Sequence, residues 1–249
     1  MRAFGVFLLT CLFSGALFGQ AQAGFERGVN AYRRGQYAEA EVLWRETLQE
    51  DLSEAGRARV YYNLGNAAWR QDEAMEAVGW YSACLRISPR HGDAWNNLEF
   101  VRADAGLEPA DRGDLRSTAR RALLALRPAE SRLLAFSALG VLGVLFLLEA
   151  FVGGALFRLL CALGAVGTLV LCMPFFYRLG NDARDPMLVV RAPRVAIRAE
   201  PNTQRDQIGE LEAGEEVERI DSLPGWVRVT GSEGTNGWVQ EEALFPLRP

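Results

Sequence analysis

The chain has 249 residues, of which 49% are hydrophobic, and its formal net charge is −4. Neither polar arm is basic, which excludes nucleic acid as an expected partner. A single histidine and four separated cysteines without a CxxC pair give no pattern for a metal site, a cofactor site or a catalytic triad. We therefore expect a protein that is not an enzyme.

Residues 1–23 have the features of a secretory signal peptide. One arginine precedes the apolar run Phe4–Phe18, and an Ala-x-Ala tripeptide stands directly before Gly24, the expected cleavage point. A lipoprotein anchored through Cys11 is the alternative, but the apolar run before this cysteine is short. The segment predicts that the residues after it are exported.

Residues 24–105 repeat internally. Four positions of the first unit return 37 residues later in the second: Gly28, Ala40, Trp44 and Leu48 recur as Gly65, Ala77, Tyr81 and Leu85. This period, with helical spacing inside each unit, indicates a helix–turn–helix solenoid. The segment resembles tetratricopeptide repeats, as two full repeats followed by a capping helix at Trp95–Val101. Cys84 falls at a packing position, where a buried, inert thiol is expected.

The first helix of the second repeat has two faces. Its packing face carries Tyr61, Leu64, Gly65 and Ala68 at i, i+3, i+4 and i+7. The resemblance implies that the other face borders a concave groove together with equivalent positions of the neighbouring units. The predicted peptide-binding residues are Arg33, Tyr62, Asn66, Trp69, Arg70 and Asn97. Amides, guanidinium groups and aromatic rings suit an extended peptide with an acidic group or a terminal carboxylate. The alternative is a merely solvated face.

Residues 106–132 form a basic amphipathic connector. Leu115, Ala119, Leu123 and Leu126 would share one helical face, with arginines around the remainder. Such a helix either lies on anionic lipid headgroups or caps the solenoid, and the sequence leaves both possibilities open.

Residues 133–177 contain two apolar runs, Leu133–Val152 and Leu159–Tyr177, separated by Gly153 and Gly154. Each run holds about 20 residues, enough to span a hydrocarbon core of roughly 30 Å. The pattern predicts a transmembrane helical hairpin, and a pair of buried core helices is the alternative. Glu149 and Arg158, close to the turn, are interpreted as interfacial side chains rather than as an ion pathway.

Two crossings place both soluble arms on one side of the membrane, and the signal peptide places that side in the periplasm, as in a two-pass protein of the bacterial inner membrane. The arginine-rich flank before the first crossing favours the opposite orientation by the positive-inside rule.

Residues 188–249 change to a period of two. Short β segments are predicted at Val195–Arg198, Ile208–Leu211, Glu216–Ile220, Trp226–Thr230 and Gly237–Val239. With its two Gly-Trp-Val strands, this region resembles a bacterial Src-homology-3-like domain, which implies a small closed barrel. Trp226 and Trp238 are candidates for a ligand-binding surface, although at least one of them is expected in the core.

The fold class is therefore multidomain: an all-α tetratricopeptide solenoid, a two-helix transmembrane hairpin and a small all-β Src-homology-3-like barrel. This order of parts resembles the BatE family of the bacterial Bat aerotolerance operons. The resemblance implies a non-catalytic periplasmic scaffold without cofactors, acting in stress or oxygen tolerance. Its implied partners are von Willebrand factor A-type membrane proteins and, indirectly, a MoxR-type AAA+ ATPase. The alternative is an envelope binder whose barrel holds peptidoglycan or a cell-wall peptide and recruits a hydrolase.

Overall fold

The structure, a computed structural model, describes residues 21–110, 113–183, 185–190, 194–231 and 234–247. The predicted signal peptide lies outside these residues except for positions 21–23, which are helical. The chain divides into two compact units. One consists of Met1–Ala110 with Pro186–Pro249, and the other is Asp111–Asp185.

The first arm is entirely helical in its regular elements, as predicted. It contains α1 (21–33), α2 (Tyr37–Thr47), α3 (Glu54–Arg70), α4 (Ala74–Ile87) and α5 (Gly92–Asp104). Side chains cap the N termini of two of these helices. The Ser53 hydroxyl accepts a hydrogen bond from the Gly56 amide at 3.1 Å, and His91 Nδ1 accepts one from the Ala94 amide at 3.2 Å. The helices form two hairpins and a single terminal helix.

A glycine on the first helix of each hairpin lies against an aromatic ring of the second. A Cβ atom added at Gly65 would lie 2.6 Å from Cε1 of Tyr81, and one added at Gly28 would collide with the Trp44 indole. Both aromatic residues are fully buried. The repeat of 37 residues in the sequence is therefore a repeat of one tight helix–helix contact.

Gly65→Leu is expected to destabilise α3 and α4 by roughly 1–3 kcal/mol, because the new side chain must displace the Tyr81 ring. Hydrogen exchange of the α4 amides in the full chain measures this loss. Gly92→Leu is the matched control, since nothing lies within 4 Å of a Cβ at that position. Equal exchange in the two variants would show that the close approach at Gly65 is not required.

The second arm is an antiparallel sheet. Its strands are β1 (Asp185–Val190), β2 (Arg194–Arg198), β3 (Gln207–Glu212), β4 (Glu216–Leu223), β5 (Trp226–Thr230), β6 (Asn236–Gln240) and β7 (Leu244–Pro246). They pair in the order β3-β2-β6-β5-β4-β1-β7. The core is aliphatic and buries Val195, Ile197, Leu211, Val217, Val227, Val229, Val239 and Leu244. The five predicted strands are confirmed, and β1 and β7 are additional.

Strand β7, together with Leu247 directly after it, also completes the core of the helical arm. Phe245 is 1% exposed and Leu247 is 2% exposed, and both belong to the buried cluster of the repeat helices. The Phe245 ring meets Trp80 of α4 edge to face, with 4.9 Å between the ring centroids. A Cβ added at Gly79 would lie 2.5 Å from the same phenylalanine ring. The helical arm and the sheet are therefore parts of one folded unit.

The other unit contains α6 (Leu115–Leu124), α7 (Pro128–Val152) and α8 (Ala155–Ala183). Among the residues that the structure describes, α7 and α8 are long and apolar enough to cross a membrane. In the most apolar 18-residue stretch of each helix, only 6% (α7) and 17% (α8) is buried, which argues against the alternative of buried core helices. Gly153 and Gly154, with φ of 60° and 99°, form the turn between them.

The amphipathic helix within the predicted connector is shorter than its sequence pattern indicated. Helix α6 ends at Leu124, so Leu126 lies outside it, and assigning Leu126 to the same helical face was wrong. Pro128 begins α7, and the residue before a proline is kept out of the helical region, as Arg127 is with ψ of 157°. The proline therefore separates α6 from α7, whereas the spacing of apolar residues alone would extend α6 to Leu126.

Candidate functional site

The predicted groove has a polar centre built by two amides and a phenol. Asn66 Oδ1 on α3 accepts hydrogen bonds from the Tyr81 hydroxyl at 2.8 Å and from Asn97 Nδ2 at 3.0 Å. Asn97 belongs to α5, so this carbonyl joins three helices at a half-buried position. The structure therefore brings together the two asparagines that the repeat pattern singled out.

Aromatic rings flank the polar centre. The Tyr62 ring lies 4.8 Å from the His91 ring and 6.1 Å from the Tyr81 ring. Trp69 packs edge to face against Phe100 at 5.5 Å, and Phe100 remains 59% exposed. These half-buried and exposed rings offer apolar surface to a ligand.

The two predicted arginines differ in their surroundings. Arg70 is exposed, and its guanidinium lies over the Tyr37 ring at 4.5 Å from the ring centroid. It also hydrogen-bonds to Tyr32, whose pKa is nevertheless raised, because burial outweighs the nearby positive charge. Arg33 is exposed near the end of α1 and makes none of these contacts. The first hairpin thus orients Arg70 but not Arg33.

Tyr81 has two roles of which the sequence indicated one. Its ring packs against Gly65, which lies on the predicted packing face of α3, and its hydroxyl also reaches the polar centre. Burial raises the pKa of Tyr81 far above its usual value of 10.0, although the hydrogen bond with Asn97 acts in the opposite direction. The phenol therefore stays protonated and donates to Asn66. A tyrosine at a packing position was the available signal, because its polar tip needs a partner.

Cys84 is buried as predicted. It is 0% exposed, and burial raises the pKa of its thiol to about 12. A thiol in this state is a poor nucleophile at neutral pH. Among the described residues, no group of three or more His, Cys, Asp or Glu side chains could hold a metal ion.

The two tryptophans of the sheet are both half-buried, so the expectation that one of them lies in the core was wrong. In β5 and β6 the neighbouring Val227 and Val239 point into the core, and the alternation of a strand turns each adjacent indole to the other side. Trp226 lines a cleft of about 190 Å³, and Trp238 is not among the residues that line this cleft. The other lining residues are Arg194, Val195, Ala196, Arg198, Gln240 and Ala243.

Comparison with known proteins finds similarities for the helical arm and for the sheet arm. The bacterial SH3 domain family matches residues 193–244. The photosystem I assembly protein Ycf3 of Cyanophora paradoxa is 25% identical over 96 residues, which cover 39% of this chain and 56% of that protein. The chain therefore spans about half the length of this curated relative. The C-terminal arm contains a bacterial SH3 domain, and the helical arm resembles a tetratricopeptide-like relative.

Proposed function

We propose that this chain is a non-catalytic, membrane-anchored adaptor that binds a segment of a partner protein along the groove of its helical arm. The observation that supports this most directly is the polar centre that the half-buried Asn66 and Asn97 form with the buried Tyr81 hydroxyl. Exposed aromatic surface and Arg70 flank this centre. The amide groups serve the backbone of an extended peptide, the buried Tyr81 hydroxyl orients them, and the guanidinium serves a carboxylate.

The groove is tested by reversing its charge. Arg33→Glu with Arg70→Glu is expected to abolish co-purification of the partner with the full-length protein from native membranes. Arg27→Glu with Arg34→Glu changes the net charge equally at two other exposed positions and should leave co-purification intact. Far-UV circular dichroism verifies that both variants keep their helical content. A partner that still co-purifies with the groove variant would exclude the groove as the binding site.

The shared core of the helical arm and the sheet supports a two-pass topology. Phe245 and Leu247 are buried among the repeat helices, which supports folding of the two arms in the same compartment. In our proposal α7 and α8 cross the inner membrane and return the chain to the periplasm, where the predicted signal peptide directs it.

Reporter fusions after Ala110 and after Pro249 are expected to give the same result, and both should report export. Opposite results from the two positions would contradict the shared core. Two cytoplasmic results would preserve that core but reverse the orientation in favour of the positive-inside rule.

The order of the parts supports a place for this adaptor in a Bat-type stress or aerotolerance complex. In this proposal von Willebrand factor A-type membrane proteins bind directly, and a MoxR-type AAA+ ATPase acts through them. Mass spectrometry of proteins that co-purify with the parent, but not with the groove variant, tests that assignment.

A second candidate function follows from the match to the bacterial SH3 domain. In this alternative the cleft beside Trp226 holds peptidoglycan or a cell-wall peptide, with Arg194 and Arg198 close to ligand carboxylates. The full-length protein would then sediment with purified cell walls, and Trp226→Ala would prevent it. Trp238→Ala is the matched control, because Trp238 does not line the cleft. If both the parent and the Trp238→Ala control fail to sediment with cell walls, this function is rejected.

A further inference from the structure

Helix α6 is a short helix that is strongly capped at its N terminus. The Asp114 carboxylate accepts a hydrogen bond from the Ser117 amide at 2.6 Å. Leu115 is 87% exposed, and Ala119 and Ala122, at i+4 and i+7, are exposed as well. An apolar stripe is thus left uncovered along one face of the helix.

Arginines surround this stripe. Residues 113–132 contain five arginines against two carboxylates, and the described side chains of Arg120, Arg121, Arg127 and Arg132 are exposed. Both carboxylates serve helix ends, since Glu130 accepts a hydrogen bond from the Arg127 amide at 2.9 Å and Asp114 caps α6. The segment therefore presents net positive charge beside exposed apolar surface.

Arg178 fixes α6 against the end of α8. This arginine is only 6% exposed, and its Nη2 donates hydrogen bonds to the Leu124 carbonyl at 3.1 Å and to the Leu126 carbonyl at 2.6 Å. Leu124 ends α6 and Leu126 follows it, at a helix C terminus where carbonyls lack helical partners and a cation is favourable. Arg178 is a positioning residue that holds the amphipathic helix next to the apolar surfaces of α7 and α8.

We propose that α6, positioned by Arg178, is an interfacial helix that binds the anionic phospholipid headgroups of the bilayer that α7 and α8 cross. Leu115, Ala119 and Ala122 enter the boundary between headgroups and acyl chains, and Arg120 and Arg121 contact lipid phosphates. The apolar surface of α6 is then continuous with that of the spanning helices. The charge of the segment selects the anionic lipid.

The test uses the full-length protein in nanodiscs of phosphatidylcholine alone and of phosphatidylcholine with phosphatidylglycerol. Amide hydrogen exchange across 115–124 is expected to be about tenfold slower in the anionic discs. The attraction of two arginines to an anionic surface is strong enough to give a difference of this size. Salt at 0.5 M should remove most of the difference, because the charges are screened. Equal exchange in both kinds of disc would overturn the proposal. The proposal would also be overturned if inorganic phosphate added to the neutral discs slowed exchange as much as the anionic lipid does. The segment would then bind a free anion rather than a lipid headgroup.

Two variants complete the experiment. Arg120→Glu with Arg121→Glu should lose the difference between the two lipids, whereas Arg27→Glu with Arg34→Glu should keep it. Arg178→Gln should speed exchange of α6 in both kinds of disc, and Arg178→Lys should restore part of the protection by still donating to the carbonyls. A lipid difference that survives the reversal at Arg120 and Arg121 would show that these arginines do not contact the headgroups.

Discussion

Phe245→Ala is expected to destabilise the repeat helices by roughly 3–5 kcal/mol, although residue 245 lies in the C-terminal sheet. Its ring is 1% exposed and fills the space beside Gly79, and it meets Trp80 edge to face. Trp80 is also covered by the Tyr61 ring and by the Arg45 guanidinium, at 5.6 Å and 4.9 Å. Removing the phenyl ring leaves a cavity against a large indole that these neighbours cannot fill.

Hydrogen exchange of the α4 amides in the full chain measures this effect. Ile220→Ala is the control within the sheet, because Ile220 is 52% exposed and its truncation should leave α4 unchanged. If α4 exchanges at the parental rate in Phe245→Ala, the contact of β7 with the helical arm does not stabilise that arm.

A double-mutant cycle examines the same contact from the helical side. Gly79→Leu alone overpacks the contact, since even a Cβ at this position would approach the Phe245 ring to 2.5 Å. In the background of Phe245→Ala the leucine enters the vacated space, so the two changes should cost less together than the sum of the single changes. We expect a coupling free energy of about 0.5–3 kcal/mol. Strict additivity would place the two residues in independent environments.

The contact at Phe245 also explains which parts of the fold the sequence could predict. Glycine and aromatic residues that recur every 37 positions carry a local packing rule, so the helix pairs at Gly28 and Gly65 could be predicted. Strand β7 has three residues, ends in a proline and lies at the edge of the sheet, and none of these features produces a period-two pattern. Its burial depends on α4, more than 150 residues earlier.

The positions of the candidate groove residues could be predicted to a similar extent. Asn66 and Asn97 occupy faces that helical spacing determines, and the structure joins them. The surroundings of Arg70 come from Tyr32 and Tyr37 in the preceding hairpin, and the angle between two hairpins is not encoded in the spacing within one. The outward position of Trp226 and Trp238 follows from the strand alternation that buries Val227 and Val239. Expecting at least one indole in the core gave hydrophobicity more weight than that alternation.

Alkaline pH is expected to destabilise the helical arm through Cys84. Burial raises the pKa of this thiol from 9.0 to about 12, so the native state keeps its proton between these values while the unfolded state loses it. The unfolded state then binds fewer protons, and the free energy of unfolding falls with rising pH. The loss is about 1.4 kcal/mol per pH unit once pH exceeds 9, and it approaches about 4 kcal/mol near pH 12. Tyr61 and Tyr81, whose pKa values burial also raises, add to it above pH 10.

Urea unfolding at pH 8, 9 and 10, followed by tryptophan emission, measures this slope, because four of the six tryptophans lie in the helical arm. Cys84→Ala should lower stability at pH 8 by opening a small cavity and should largely remove the decline between pH 9 and pH 10. Val78→Ala, another fully buried truncation on α4, should lower stability while keeping the decline. The same slope in both variants would assign the alkaline loss to groups other than Cys84, because only one of the two variants lacks the titrating thiol.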